Sequence, residues 1–128
     1  MHNSVPEGLG ATPPTVTDRL SVRLRTRNKV AVVSPAGELD HDTVSLLRAS
    51  LDQALAAEGD RVVVDCRELL FCDSTGLNLL LTTRLKAEAA ELVLVLAGLR
   101  PTVARMFEIT GTDTVFDIRS DVGEAVAR

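Results

Sequence analysis

Residues 61–81 read RVVVDCRELLFCDSTGLNLLL, and this stretch holds a short strand, a polar interruption and the start of an apolar helix. RVVVD is a β-branched run of the kind that is buried on both faces of a parallel sheet. A helix is expected to begin near Ser74, with Leu77, Leu80, Leu81 and Leu85 on its inner face. A strand that leads into a helix in this way predicts an α/β fold.

The segments on either side extend the same alternation. LSVRLRTR at 20–27 alternates apolar and polar residues, and VAVVSPAG follows at 30–37 after a two-residue turn, which predicts an antiparallel hairpin. Three further helices and two further strands follow from apolar periodicity and from the breakers Gly59, Pro101 and Gly111. The predicted order is β-β-α-β-α-β-α-β-α, a single-domain α/β fold with a mixed, largely parallel sheet and helices.

The N-terminal segment differs in composition from the rest of the chain. Residues 1–17 contain three prolines, two glycines and little apolar content, which favours a flexible tail in front of a domain over 18–128. No apolar run approaches the roughly 20 residues of a membrane span, and the start of the chain lacks the features of a signal peptide. Cys66 and Cys72 match no metal or redox spacing, so we expect buried free thiols in a cytoplasmic protein.

Charge and composition argue against several classes of function. The net charge is -4 and aromatic residues make up 2% of the chain, which disfavours a direct nucleic-acid partner. Ser74 lies in D-S-T-G rather than G-x-S-x-G, and the histidines are His2 and His41, so a serine hydrolase is not expected. We therefore predict no catalytic residue, no metal and no cofactor.

Two polar stretches follow predicted strands, GELDHD at 37–42 and CDSTG at 72–76. The carboxyl ends of parallel strands collect functional residues in open α/β sheets. Asp73 and Ser74 are good helix caps, and Asp40 or Asp42 can cap the helix before them. Gly76 weakens a first helical turn by up to roughly 1 kcal/mol, which suggests that another molecule approaches the backbone there. This pattern favours an exposed serine hydroxyl at a helix end.

Three motifs together resemble one family. GELD at 37–40, DSTGL at 73–77 and FEITG at 107–111 are similar to the STAS domain, and more narrowly to the bacterial anti-sigma factor antagonists. The resemblance covers roughly residues 20–120. It implies that Ser74 is phosphorylated by an anti-sigma factor that is also a serine kinase, and that a serine phosphatase reverses the step. The unphosphorylated form is expected to bind the kinase and to release its sigma factor.

The resemblance also implies a surface for the partner. Its expected residues are Glu38, Asp40, His41, Asp42, Asp73, Ser74, Thr75, Gly76 and Leu77. Thr75 remains an alternative acceptor of the phosphate. Leu77 fits a position in the core as well as a contact with the partner. His41 fits a solvated loop as well as a contact with the partner.

Two further interpretations stay open. A phosphoaspartate receiver could use Asp65, but it needs additional carboxylates and a late lysine, whereas Lys86 lies inside a predicted helix. Other STAS proteins are scaffold or regulatory subunits of stress-signalling or transporter complexes, and the sequence is compatible with that role.

Overall fold

The structure is a computed structural model and describes residues 14–127. Its strands are β1 Thr15–Val16, β2 Leu20–Arg27, β3 Val30–Leu39, β4 Arg61–Asp65, β5 Leu69–Cys72, β6 Val93–Ala97 and β7 Asp117–Arg119. Its α-helices are α1 Val44–Ala56, α2 Ser74–Ala89, α3 Pro101–Thr110 and α4 Val122–Val126, with a 3₁₀ turn at Thr112–Thr114.

The predicted hairpin of β2 and β3 is confirmed. The strands pair antiparallel, with Leu24 opposite Val33. Asn28 and Lys29 both have positive φ, 51° and 68°, which is the backbone of a tight two-residue hairpin turn. A turn of this length fixes the register in which β2 and β3 pair.

The sheet has the order β1-β2-β3-β4-β6-β7, and β5 pairs with the second half of β3. The β3–β4, β3–β5, β4–β6 and β6–β7 pairs are parallel. The predicted fold class and the order of its helices are confirmed, with two short strands in addition. One is β1, which lies inside the segment 1–17 that was expected to be a tail; residues 1–13 of that segment lie outside the described residues. The other is β5, directly in front of Ser74.

Alternate residues of the central strands face two different layers. Val62, Val64, Leu94 and Leu96 join the large core that α1, α2 and α3 cover. Val63 and Val95 face the other way and pack with Ala125 of α4. None of the helices in residues 14–127 is both long and apolar enough to cross a membrane.

The inner face of α2 differs from the prediction in one position. Leu77 and Leu80 are buried as expected, whereas Leu85 is 60% exposed and its place on the inner face was wrong. Thr83 and Ala87 are buried instead. The polar Thr83 fits the core because its hydroxyl donates to the carbonyl of Leu79 at 2.7 Å.

Both cysteines are free and buried, as predicted. Burial raises the pKa of the Cys66 thiol well above its ordinary value, and it raises the pKa of Cys72 to about 12. Thiols that stay protonated in this way are poor nucleophiles and poor metal ligands, so both act as small apolar core residues.

Candidate functional site

Ser74 is the first residue of α2, and it is exposed. Its hydroxyl makes no hydrogen bond to any residue between 14 and 127. The amide of the preceding residue, Asp73, donates to the carbonyl of Leu39 at 3.1 Å. This bond joins the start of α2 to the end of β3, so the serine is held at a defined place on the surface while its hydroxyl stays free.

Asp73 caps the helix that Ser74 begins. One of its carboxylate oxygens accepts from the amides of Thr75 at 2.9 Å and Gly76 at 3.1 Å. The expectation that DSTG starts a helix is therefore confirmed. A carboxylate at this position also interacts favourably with the positive end of the helix dipole.

Asp73→Ala is expected to lower the free energy of unfolding by about 1 kcal/mol, because two amides of the first turn lose their acceptor. Asp73→Asn is the matched control, since its side-chain oxygen can still accept both hydrogen bonds. Urea denaturation of the three chains measures the difference. Equal stability of the alanine and wild-type chains would contradict the role of this cap.

Gly76 is buried, and its small size has an internal reason. A Cβ at this position would lie 2.7 Å from the side chain of Leu39 and 2.8 Å from the sulfur of Cys72. The suggestion that the glycine leaves room for another molecule is therefore wrong. Helix α2 needs a glycine here because it packs directly against the ends of β3 and β5.

Gly76→Ala is expected to lower the free energy of unfolding by about 1 to 2 kcal/mol. Overpacking a core costs about 1 to 3 kcal/mol, and the better helix propensity of alanine returns up to about 1 kcal/mol. Gly123→Ala in α4 is the control, because its Cβ would meet only one atom, an oxygen of Asp121 at 3.3 Å. If denaturation shows Gly76→Ala to be as stable as the wild type, Leu39 and Cys72 give way more easily than their packing indicates.

The remaining residues of the first turn divide into core and surface. Leu77 is 6% exposed and belongs to the core, which resolves its ambiguity in the sequence. Thr75 is half-buried, whereas Ser74 and Asn78 are exposed. A partner that meets this turn can therefore reach Ser74 and Asn78, but not Gly76 or Leu77.

The acidic residues of GELDHD converge on one cation, Arg19. Its guanidinium lies 3.2 Å from Glu38 and 3.3 Å from Asp42, and it forms a close bidentate ion pair with Asp40. The backbone makes the same connection, because the amide of Glu38 donates to the carbonyl of Arg19 at 2.8 Å. We call Glu38, Asp40, His41 and Asp42 the acidic loop.

Asp40 organises the turn between β3 and α1. Its carboxylate accepts from the amides of Asp42 at 3.0 Å and Thr43 at 3.2 Å. The side-chain hydrogen bond from Arg19 lowers the pKa of Asp40 to about 2. The expected cap of α1 needs a correction: the N-cap residue is Thr43, and Asp40 acts one turn earlier because its side chain folds back onto the loop.

The other two residues of the acidic loop lie at its surface. His41 and Asp42 are both exposed, and the Nε2 atom of His41 lies 3.2 Å from a carboxylate oxygen of Asp42. No group of three His, Cys, Asp or Glu side chains within residues 14–127 is arranged to hold a metal ion. The loop is therefore a negatively charged surface whose charge Arg19 partly offsets.

Strand pairing brings the two polar stretches of the sequence together. Glu38 lies opposite Phe71 and Leu39 opposite Cys72 in the parallel β3–β5 ladder. The acidic loop and the start of α2 therefore continue from neighbouring strand ends, as the α/β pattern predicts. Sequence reasoning missed Arg19, although the hairpin register, with Leu20 opposite Gly37, places its backbone beside Glu38.

The fold and the exposed serine at a capped helix start define a STAS domain. The family model described as "STAS domain" matches residues 21–125. The chain belongs to the STAS domain family. Within it, the chain belongs to the group that contains the anti-sigma factor antagonists, since it is 32% identical to the anti-sigma-B factor antagonist of Staphylococcus aureus over 72% of this chain and 85% of the relative.

Several anti-sigma factor antagonists are similar to this chain. The anti-sigma-B factor antagonist of Listeria monocytogenes is 29% identical over 106 residues, which cover 82% of this chain and 93% of the relative. An anti-sigma factor antagonist from Mycobacterium paratuberculosis, 24% identical, shares the fold with a TM-score of 0.78 over 88% of this chain and 95% of that one. SpoIIAA, an anti-sigma factor antagonist solved in its unphosphorylated form, is 26% identical, with a TM-score of 0.71 over 82% of this chain and 92% of that one. The Bacillus protein SpoIIAA has also been solved in its phosphorylated form, with a TM-score of 0.65 and 25% identity over 82% of this chain and 96% of that one.

Proposed function

We propose that this chain acts in the cytoplasm as an anti-sigma factor antagonist that is switched by phosphorylation of Ser74. In its unphosphorylated form it binds an anti-sigma factor that is also a serine kinase, and the bound sigma factor is released. The observation that carries the proposal is the exposed, unbonded hydroxyl of Ser74 at the capped start of α2. The kinship with anti-sigma factor antagonists supports the identity of the partner.

The switch is a phosphoryl transfer from ATP. The Ser74 oxygen forms a bond to the γ-phosphorus, the bond from that phosphorus to ADP breaks, and a base of the kinase accepts the hydroxyl proton. A serine phosphatase restores the hydroxyl by hydrolysis of the ester. This chain supplies only the acceptor, so its role is regulatory rather than catalytic.

The effect of the phosphate follows from charge. It adds about -1.5 to -2 charges beside Asp73 and the acidic loop. The helix N-terminus accommodates an anion, so the fold tolerates the modification. An interface with the partner does not tolerate the phosphate, because the new charge loses its hydration against the partner surface and is repelled by any carboxylate in the interface.

Phosphorylation mapping tests the acceptor. The purified chain is incubated with ATP and the anti-sigma factor kinase that is encoded in the same genome, and the product is mapped by mass spectrometry. We expect one phosphate on the wild type and on Thr75→Ala, and none on Ser74→Ala. Phosphate on the Ser74→Ala chain would reject Ser74 as the acceptor.

A further inference from the structure

Phe71 is an exposed aromatic side chain in a protein that has very few. The chain contains three phenylalanines and no tryptophan or tyrosine. Phe107 and Phe116 are buried, and their ring centroids lie 5.5 Å apart. Phe71 is instead 49% exposed. Phenylalanine, like the other aromatic residues, is enriched in protein interfaces relative to the rest of the protein surface.

The position of Phe71 connects it to the site. It is the third residue of β5, three residues before Ser74, and it lies opposite Glu38 in the ladder. Its neighbour Leu70 is 52% exposed. Within residues 14–127, β5 pairs with β3 alone, so no second strand covers its other edge. Two large apolar side chains thus stand beside the serine and the acidic loop.

We infer that Leu70 and Phe71 are the apolar anchors on which the anti-sigma factor docks, which rests on the function proposed above. We call Leu70, Phe71 and Ser74 the docking edge. The acidic loop forms its polar rim, and the exposed carboxylates there are Glu38 and Asp42. The complementary partner surface is an apolar pocket bordered by arginine or lysine side chains.

The docking edge explains how one phosphate can control binding. An anchor that is inserted into a pocket is surrounded by contacts that exclude water. Ser74 lies three residues from Phe71, so its phosphate falls within or beside the water-excluded area. A charge there costs far more than the same charge on an open surface, because it loses its hydration.

A comparison of truncated side chains tests the anchors. Phe71→Ala and Leu70→Ala are titrated by calorimetry with the anti-sigma factor kinase of the same genome, beside the wild type. Leu85→Ala is the matched control, because Leu85 is 60% exposed on the same helix as Ser74 but about 16 Å farther along its axis. We expect Phe71→Ala to bind at least about tenfold more weakly, and Leu85→Ala to bind within about twofold of the wild type.

Hydrogen exchange on the wild-type complex provides a measurement that needs no variant. The amides of 70–72 should gain protection when the kinase binds, and those of 85–89 should not. Wild-type affinity in Phe71→Ala, or unchanged exchange at 70–72 in the complex, would overturn the docking edge while the proposed function stands. A wild-type chain that binds no anti-sigma factor would overturn both, and loss of self-association in Phe71→Ala would assign the edge to a second copy of this chain.

Discussion

Ser74→Asp is expected to bind the anti-sigma factor more than a hundredfold more weakly than the wild type, which corresponds to about 3 kcal/mol. The aspartate places one negative charge at the docking edge, next to Asp73 and near the acidic loop. A phosphate carries more charge than a carboxylate, so the natural modification is expected to weaken binding at least as much. Calorimetric titration with the kinase measures the difference.

The same substitution is not expected to destabilise the fold. Residue 74 is exposed at the first position of α2, where the helix dipole favours a negative side chain by about 0.3 to 1 kcal/mol. Repulsion from Asp73 offsets part of this gain. The melting temperature of Ser74→Asp should therefore equal that of the wild type or lie slightly above it, which separates loss of binding from loss of structure.

Ser74→Asn shows whether the charge or the size of the side chain at position 74 lowers the affinity for the partner. Asparagine has nearly the shape of aspartate but no charge, so Ser74→Asn should keep most of the wild-type affinity. If both variants lose affinity equally, steric exclusion rather than charge controls the interface. If neither loses affinity, Ser74 lies outside the interface and the phosphorylation switch is rejected.

The sequence predicted the fold well because its strongest signals are local. Alternation in β2, the β-branched run of β4 and the breakers at Pro101 and Gly111 each act over a few residues, and the structure has an element at every one of these places. Strand β5 was not predicted, because it is four residues long and adjoins the leucines of α2. A run of that length has no period that distinguishes strand from helix.

The sequence predicted the exposed serine of the site, but it did not predict the contacts that hold the surrounding residues in place. Ser74 and Asp73 carry capping chemistry that can be read along the chain, whereas Gly76 depends on Leu39, which is distant in sequence and comes close only in the folded chain. Arg19 meets the acidic loop only through the pairing of β2 with β3. The packing of α2 against β3 is not encoded by any local pattern, whereas the two-residue turn fixes the register that places Arg19 beside Glu38, so that contact follows from the predicted hairpin.

The fold also accounts for the exposure of Phe71. The β3–β5 ladder shifts register between Gly37 and Glu38, because Leu69 lies opposite Gly37 and Phe71 lies opposite Glu38, which leaves Leu70 as an extra residue on β5. This bulge interrupts the alternation along β5, so Leu69 and Cys72 are buried in the core, whereas Leu70 and Phe71 between them are exposed. The sequence alone shows LLFC as a uniform apolar run and gives no sign of this bulge.

Arg19→Ala is expected to remove the cation that holds the carboxylates of the acidic loop together. The variant loses the ion pairs to Glu38, Asp40 and Asp42, and the pKa of Asp40 should rise from about 2 toward its ordinary value of 3.8. NMR titration of the Asp40 carboxyl measures this change directly. Arg25→Ala is the control, because Arg25 is exposed on β2 and forms no ion pair with residues 14–127.

The pH dependence of stability should change in a defined direction. A carboxyl whose pKa is lowered by folding stabilises the native state above its unfolded pKa, and this contribution is lost as the pH falls through the folded pKa. The wild type should therefore be more stable than Arg19→Ala at pH 7, and the difference should shrink between about pH 4 and pH 2. A difference that persists unchanged at about pH 2 would show that Arg19 acts through packing rather than through its charge.

Arg19→Ala should also weaken binding of the unphosphorylated chain, because the three carboxylates then repel one another and the loop loses its fixed shape. Arg19→Ala combined with Asp40→Asn tests this explanation, since the second change removes one of the repelling charges. We expect the double variant to bind more tightly than Arg19→Ala alone, although the new asparagine side chain cannot restore the ion pair. If the double variant binds no better, order in the loop rather than its excess charge is what the partner requires.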